Sequence, residues 1–356
     1  MKILVISLAG IGDTLMATPL IHELRANFPN AIIDVLSMWP ASSGLLAGNP
    51  YFNNVYQKNL IKSGKIESLK FLTQLGKQRY DVSINTHPQS RIHYRVVTRL
   101  INARIRISHE YDHASIFDRL LVNRTLKQDY NIHCIENNLA LLPLCGAKSL
   151  LPRHEYELFL TDAEHQWAAD FIAKNNLAGR KRIGIHVGSG GTKNLALRRW
   201  PLAHYLALIK RLNQNRPDIS ILLFGGPEEE KDHARILAET GRTHVFVPHT
   251  KDIRQAAALV KHCDAFLSVD TALMHVAAAM KVPNQIVIET PTINKTVEPY
   301  NNPFVLIKNT VVAGRNLDYY RYDGADIKGT DEELIRCMAS ISVDEVCETL
   351  TKALDK

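Results

Sequence analysis

Asp13 follows two glycines directly behind an apolar run, in "KILVIS" (2–7) and "LAGIGDTLMATP" (8–19). A carboxylate at such a turn can do two things. It can cap a helix, or it can take a proton from a hydroxyl that attacks an electrophile. Glycines after a first strand let the backbone turn sharply and approach a ligand. Gly10 and Gly12 fit the first two positions of the dinucleotide pattern GxGxxG/A, but Leu15 holds the last. Asp13 would also repel a pyrophosphate at the positive helix end. The turn therefore suits a base better than a phosphate cradle, with the cap still open.

"SVDTALMH" (268–275) offers a better anion site. A strand ends at Val269, and Asp270 or Thr271 begins a helix. Thr271 and the free N–H groups of that first turn can bind an anion. His275 can donate a hydrogen bond to a phosphate oxygen. "HVGSGGTKNLALRRWP" (186–201) is a second glycine-rich loop, carrying Ser189, Thr192, Lys193, Arg198 and Arg199. It lacks the Gly-Lys-Ser/Thr triplet of a Walker loop. Its cations suit a diphosphate leaving group. In "FGGPEEE" (224–230), Glu228 stands where one carboxylate could accept two ribose hydroxyls. No DxD, G-x-S-x-G or HExxH pattern occurs, and no histidines pair at convincing metal-ligand spacing. No metal site is expected.

These segments need a scaffold. "KILVIS" reads as a strand buried on both faces, and "DTLMATPLIHELRANF" (13–28) as one helix. "AIIDVLS" (31–37) and "YDVSINT" (80–86) continue the strand–helix alternation of a parallel, doubly wound sheet. A second series begins at "KRIGIHVGS" (181–189) and runs through "DISILLFGG" (218–226), "DAFLSV" (264–269) and "NQIVIE" (284–289). Two Rossmann-like domains facing a central cleft are expected, 1–175 and 176–340. The helix in 341–356 could belong to either domain, or pack back on the first.

The chain has 356 residues and a formal net charge of +7, which favours anionic partners. Its five cysteines form no CxxC pair and are odd in number, which argues for a reducing compartment. Asp13 and Pro19 interrupt the apolar N-terminus, so neither a signal peptide nor a membrane span is expected. A cytoplasmic location follows, with contact at the inner face of an anionic membrane as a further expectation. No aromatic–basic interleaving points to nucleic acid.

In their order along the chain, these stretches resemble glycosyltransferase family 9, the bacterial ADP-heptose:lipopolysaccharide heptosyltransferases. The resemblance runs through "GIGDTLMATPLIHELRANFPNAIIDVL", "IGIHVGSGG…RRWP", "LLFGGPEEE", "SVDTALMHVAAA" and the tail "IRCMASISVDEVCETL". It implies an α/β GT-B fold and an inverting, metal-independent transfer. It implies ADP-L-glycero-β-D-manno-heptose as donor, no separate cofactor, and a lipopolysaccharide inner-core sugar as acceptor. By the same resemblance Asp13 matches the catalytic base, while Asp270, Thr271 and His275 match the donor motif. Glu228 matches the ribose acid. The family's diphosphate lysine falls at Arg198, with Lys193 a few residues earlier. Ala272 replaces a common glycine and narrows the approach to the helix start. Residues 87–150 match no quotable pattern.

Three other readings remain. One is transfer of another activated sugar to a different glycan or protein. Another is an NAD-dependent oxidoreductase using "GIGD" and Asp34. The third is a non-catalytic binding protein resting on the charge.

Overall fold

The computed structural model describes residues 1–355 apart from 113, 190–194, 292, 294 and 313–329, and leaves out the side chain of Leu195. Thr192 and Lys193 therefore lie outside the described residues. The chain divides into two compact units, the first Met1–Phe159 and the second beginning at Leu160.

The first unit contains strands β1 (Lys2–Ser7), β2 (Ile32–Ser37), β3 (Asn54–Gln57), β4 (Val82–Asn85), β5 (Ile105–Glu110) and β6 (Arg124–Lys127). They form one sheet in the order β3-β2-β1-β4-β5-β6, and every pairing is parallel. The central strand explains the register. β1 sets Ile3 against Ile33 and Val82, and Val5 against Val35 and Ile84. All of these side chains are buried. A strand apolar at every position is stable only where helices cover both faces.

The second unit repeats the design. Its strands are β7 (Lys181–His186), β8 (Ile219–Phe224), β9 (Val245–Phe246), β10 (Ala265–Ser268), β11 (Asn284–Ile288) and β12 (Phe304–Ile307). Their order is β12-β11-β10-β7-β8-β9, again all parallel. Counted from its own first strand, each sheet has the doubly wound order 3-2-1-4-5-6. In that order the chain changes direction between the first and fourth strands, and ligands bind beyond their carboxyl ends. The switch points are β1/β4 and β7/β10.

The expected helix over 13–28 is two helices, Ile11–Met16 and Thr18–Asn27. Pro19 has no N–H to give the carbonyl four residues earlier. Thr18 Oγ1 instead donates to that Leu15 carbonyl at 2.7 Å. Helix Asp162–Lys174 belongs to the second unit, ahead of the expected boundary at 175. Arg254 explains this, with Nε and Nη2 at 2.6 and 2.8 Å from the Glu164 carboxylate. Burial would raise that carboxyl, but the Arg254 hydrogen bonds outweigh it and hold Glu164 at about 2.

The last helix, Val343–Leu354, packs on helix Leu202–Asn215 and on β10 and β11. Val346, Leu350 and Leu354 complete the second core. Trp200 Nε1 donates to the Ile341 carbonyl at 3.0 Å. The helix thus joins the second unit rather than folding back on the first.

Candidate active site

At the β1/β4 switch point, the chain leaves β1 through the glycine turn and enters helix Ile11–Met16. Asp13 is the third residue of that helix, not its N-cap. Its Oδ2 accepts the Gly10 N–H at 2.6 Å. A Cβ on Gly10 would stand 2.9 Å from that same oxygen, so any other residue there would push the Asp13 carboxylate out of this bond. Asp13 is half-buried. The hydroxyl of Thr14 donates to the Gly10 carbonyl at 3.2 Å and takes a bond from Ser7 Oγ at 3.2 Å, fixing the turn from below. Gln89 ties the ends of β1 and β4 together, accepting from Leu8 N–H at 3.2 Å and donating to the Thr86 carbonyl at 2.9 Å.

Tyr94, on helix Ile92–Ile101, lies within electrostatic reach of this carboxylate. Burial and then the Asp13 charge push its phenol up, so it stays a neutral O–H at physiological pH. No motif or spacing marks it. Asp34 is not at the site. It is buried within β2, where it accepts from Tyr80 Oη at 2.7 Å and Asn54 Nδ2 at 2.9 Å. The oxidoreductase reading thereby loses its ribose acid.

The β7/β10 switch point gathers the second cluster. Thr271 caps helix Ala272–Ala279, accepting from Met274 N–H, and its Oγ1 lies 3.0 Å from His186 Nδ1 at the end of β7. Arg198 Nη1 lies 2.9 Å from Asp270 Oδ2. Ala272 is the first helical residue and is partly exposed. His275 lies on the first turn and is buried. Burial drives its imidazole down to about 4. Burial, then His233 and Arg199, drives His186 to about 3. Both rings are therefore neutral at pH 7 and act as hydrogen-bonding groups, not as charges. Among the described residues, the positive elements beside this helix are Arg198 and the helix start itself.

Arg199 has a different task. It donates to the Ser189 carbonyl at 3.2 Å and to Ser189 Oγ at 3.3 Å, and it pairs with Glu229 at 3.1 Å. Glu229 in turn accepts Gly226 N–H at 2.9 Å. Gly226 to Glu229 has the same spacing and bond as Gly10 to Asp13. Gly188 lies against Glu229 so closely that an added Cβ would be 2.2 Å from Oε1. Glu228, the residue singled out from sequence, is exposed beside it. Three consecutive acids look alike in a sequence, and Glu228 and Glu229 each follow a glycine by three residues, so only packing turns Glu229 inward. His186 was legible only as a polar residue closing an apolar strand.

Among the described residues, no group of three or more His, Cys, Asp or Glu side chains is placed to hold a metal ion. Nor is any described helix long and apolar enough to cross a membrane.

Two doubly wound units, each with polar side chains at its switch point, define the GT-B class of glycosyltransferases. Solved structures share this fold over almost the whole chain. The E. coli ADP-heptose lipopolysaccharide heptosyltransferase II superposes with a TM-score of 0.74 at 23% identity, covering 99% of this chain and 98% of that one. E. coli heptosyltransferase WaaC with ADP gives 0.71 at 18%, covering 99% and 100%. Lipopolysaccharide heptosyltransferase 3 of Escherichia coli is 27% identical over 76% of this chain and 78% of its own. Lipopolysaccharide heptosyltransferase 2 of Salmonella typhimurium is 29% identical over 80% and 81%. The profile of glycosyltransferase family 9 (heptosyltransferase) matches residues 68–320. The chain belongs to that family and is a glycosyl-transferring enzyme.

Proposed function

We propose that the enzyme transfers heptose from ADP-L-glycero-β-D-manno-heptose to a lipopolysaccharide inner-core sugar, with inversion and without a metal. The observation that carries this reading is the β7/β10 cluster. Arg198 held by Asp270, a capped helix start at Thr271, and a neutral His275 converge where a diphosphate would sit. The solved WaaC structures with ADP and with ADP-2-deoxy-2-fluoro heptose support ADP as the carrier.

The chemistry then follows from the residues. As the acceptor oxygen bonds to the anomeric carbon, Asp13 takes its proton. An unassisted sugar hydroxyl is a poor nucleophile. The bond from that carbon to the diphosphate oxygen breaks on the opposite side, and ADP leaves with the electron pair. Arg198, the N–H groups after Thr271 and His275 stabilise the growing charge. Glu229 lies beside this loop, anchored by Arg199, and is a stronger candidate than Glu228 for the ribose hydroxyls. The first unit holds the acceptor, the second the donor. The reaction belongs in the cytoplasm, where nucleotide sugars are made.

Purified protein should be incubated with ADP-heptose and with other nucleotide sugars, using heptose-deficient lipopolysaccharide as acceptor. The product is read by mass spectrometry. A heptose-sized mass increase with ADP-heptose alone is expected. An increase with another donor and none with ADP-heptose would overturn the assignment.

A further inference from the structure

The net charge of this protein is not spread evenly. Residues 58–120 hold twelve Lys and Arg against five Asp and Glu, a net +7 equal to that of the whole chain. The rest of the chain is neutral on balance. The same stretch forms three helices, Lys65–Gly76, Ile92–Ile101 and Ile116–Leu121, packed side by side.

That layer also holds eight of the fifteen large apolar side chains exposed among the described residues. Ile61, Ile66, Ile116, Phe117 and Leu120 are each 65–73% exposed. Ile92 and Val96, one turn apart on the middle helix, lie partly exposed between them. Isolated exposed apolar residues are ordinary, but so many on three adjoining helices are not.

The acids of the layer are largely occupied. Glu67 pairs with Lys58, Glu110 with Arg119, and buried Asp118 with Arg95. Asp112 is exposed near the third helix, and Asp81 lies at the start of β4. Lys62, Lys65, Lys70, Arg91 and Arg99 stand exposed on the same helices and their leading turns.

We propose that this face docks on an anionic lipid bilayer. Apolar side chains that enter the acyl boundary, ringed by cations that meet lipid phosphates, are the chemistry of interfacial binding. A second copy of the chain fits poorly, because a two-fold contact would set one basic face against another. Position supports the assignment. Helices Ile92–Ile101 and Ile116–Leu121 begin just past the carboxyl ends of β4 and β5. They therefore lie at the sheet edge that carries Asp13, and Tyr94 sits between Ile92 and Val96. A lipid-borne acceptor would be presented to the base from this side, a point that rests on the transfer reading above.

The test is vesicle co-sedimentation of the full chain, without donor or acceptor. Phosphatidylcholine vesicles are compared with vesicles that also contain phosphatidylglycerol. Binding only to the anionic vesicles, weakened by salt, is expected. Phe117→Asp combined with Leu120→Asp should lower that binding at least tenfold. A matching melting temperature shows that the variant is folded. The variant should still transfer sugar to a delipidated, soluble acceptor as the wild type does. Equal binding to both vesicle types, binding to neither, or a folded variant that binds like the wild type would overturn the proposal. So would a dimer in solution that dissolves in the variant, which would assign the face to a second copy. Vesicle binding does not involve the donor, so a failed donor assignment leaves this result standing.

Discussion

Arg198 Nη1 lies 2.9 Å from Asp270 Oδ2, and both side chains are nearly buried at the carboxyl end of β10. The pair fixes a long, flexible cation beside the Thr271 helix start before any donor arrives. Such preorganisation matters because the donors need not reorient as charge develops on the leaving group.

Arg198→Ala should lower kcat/KM for the sugar donor by about 10²–10³-fold, the effect of removing one preorganised donor to a developing anion. Asp270→Ala should also weaken transfer, because it frees the guanidinium from its position. The double variant should be much less impaired than the product of the two single effects. Steady-state kinetics of the three variants would settle it. Independent, multiplicative losses would show that the two residues do not act as a unit.

Gly188 and Gly226 provide a paired stability test. A Cβ at Gly188 would collide with the Glu229 carboxylate, whereas at Gly226 it would meet nothing within 4 Å. Gly188→Ala should therefore destabilise by about 1–3 kcal/mol, the usual cost of overpacking. It should also weaken ADP binding by displacing Glu229. Gly226→Ala should be milder in both respects. Thermal melts with and without ADP would show it, and equal effects would contradict the packing account.

Stability should fall with acid. Burial holds His109, His186 and His275 at about 4, 3 and 4, below the ordinary histidine range. Between pH 6.5 and about 4 the unfolded chain thus binds more protons than the folded one, so acid favours unfolding. Each ring contributes on the order of 2–3 kcal/mol at pH 7 that is lost by about pH 4. Glu157 works in the opposite direction. Burial and Glu155 push it up to about 8, so it favours the folded state as pH falls from 8 towards 4.5. The three histidines outweigh it. The melting temperature should drop by roughly 5–10 °C between pH 7 and 4.5. A flat profile would mean that these imidazoles are not buried as described.

Chelation should leave the reaction alone. In the proposed mechanism, Arg198 and the helix start supply the positive charge that a metal would bring to a diphosphate. Full activity after dialysis against EDTA is expected. Loss of activity, restored by a divalent ion, would contradict this.

Much of the fold was legible, and the failures have physical causes. β1 and β8 are largely apolar runs, and a run buried on both faces announces itself. β3 and β6, with sequences "NVYQ" and "RTLK", are edge strands with few buried side chains. They pair through the backbone, which has no sequence signature. The break at Pro19 was visible in principle, since proline cannot continue a helix without giving up a bond. The placing of Asp13 and Thr271 at helix starts was legible, because a glycine turn and a cap mark them. Where only packing decides, as for Tyr94 near Asp13 or Glu229 rather than Glu228 turning inward, no residue type marked the outcome.

The central claim is that Asp13 is the base. The 2.6 Å bond from Gly10 N–H to its carboxylate makes a clean test possible, because an asparagine oxygen can accept the same bond. Asp13→Asn should keep the helix start and the melting temperature, and should bind ADP within about twofold of wild type. Its kcat should fall by about 10²–10⁴-fold, the usual contribution of general base catalysis. The measurement is single-turnover transfer by Asp13→Asn at saturating donor and acceptor. A rate near that of the wild type, from a folded protein with intact ADP binding, would mean that Asp13 is only a cap.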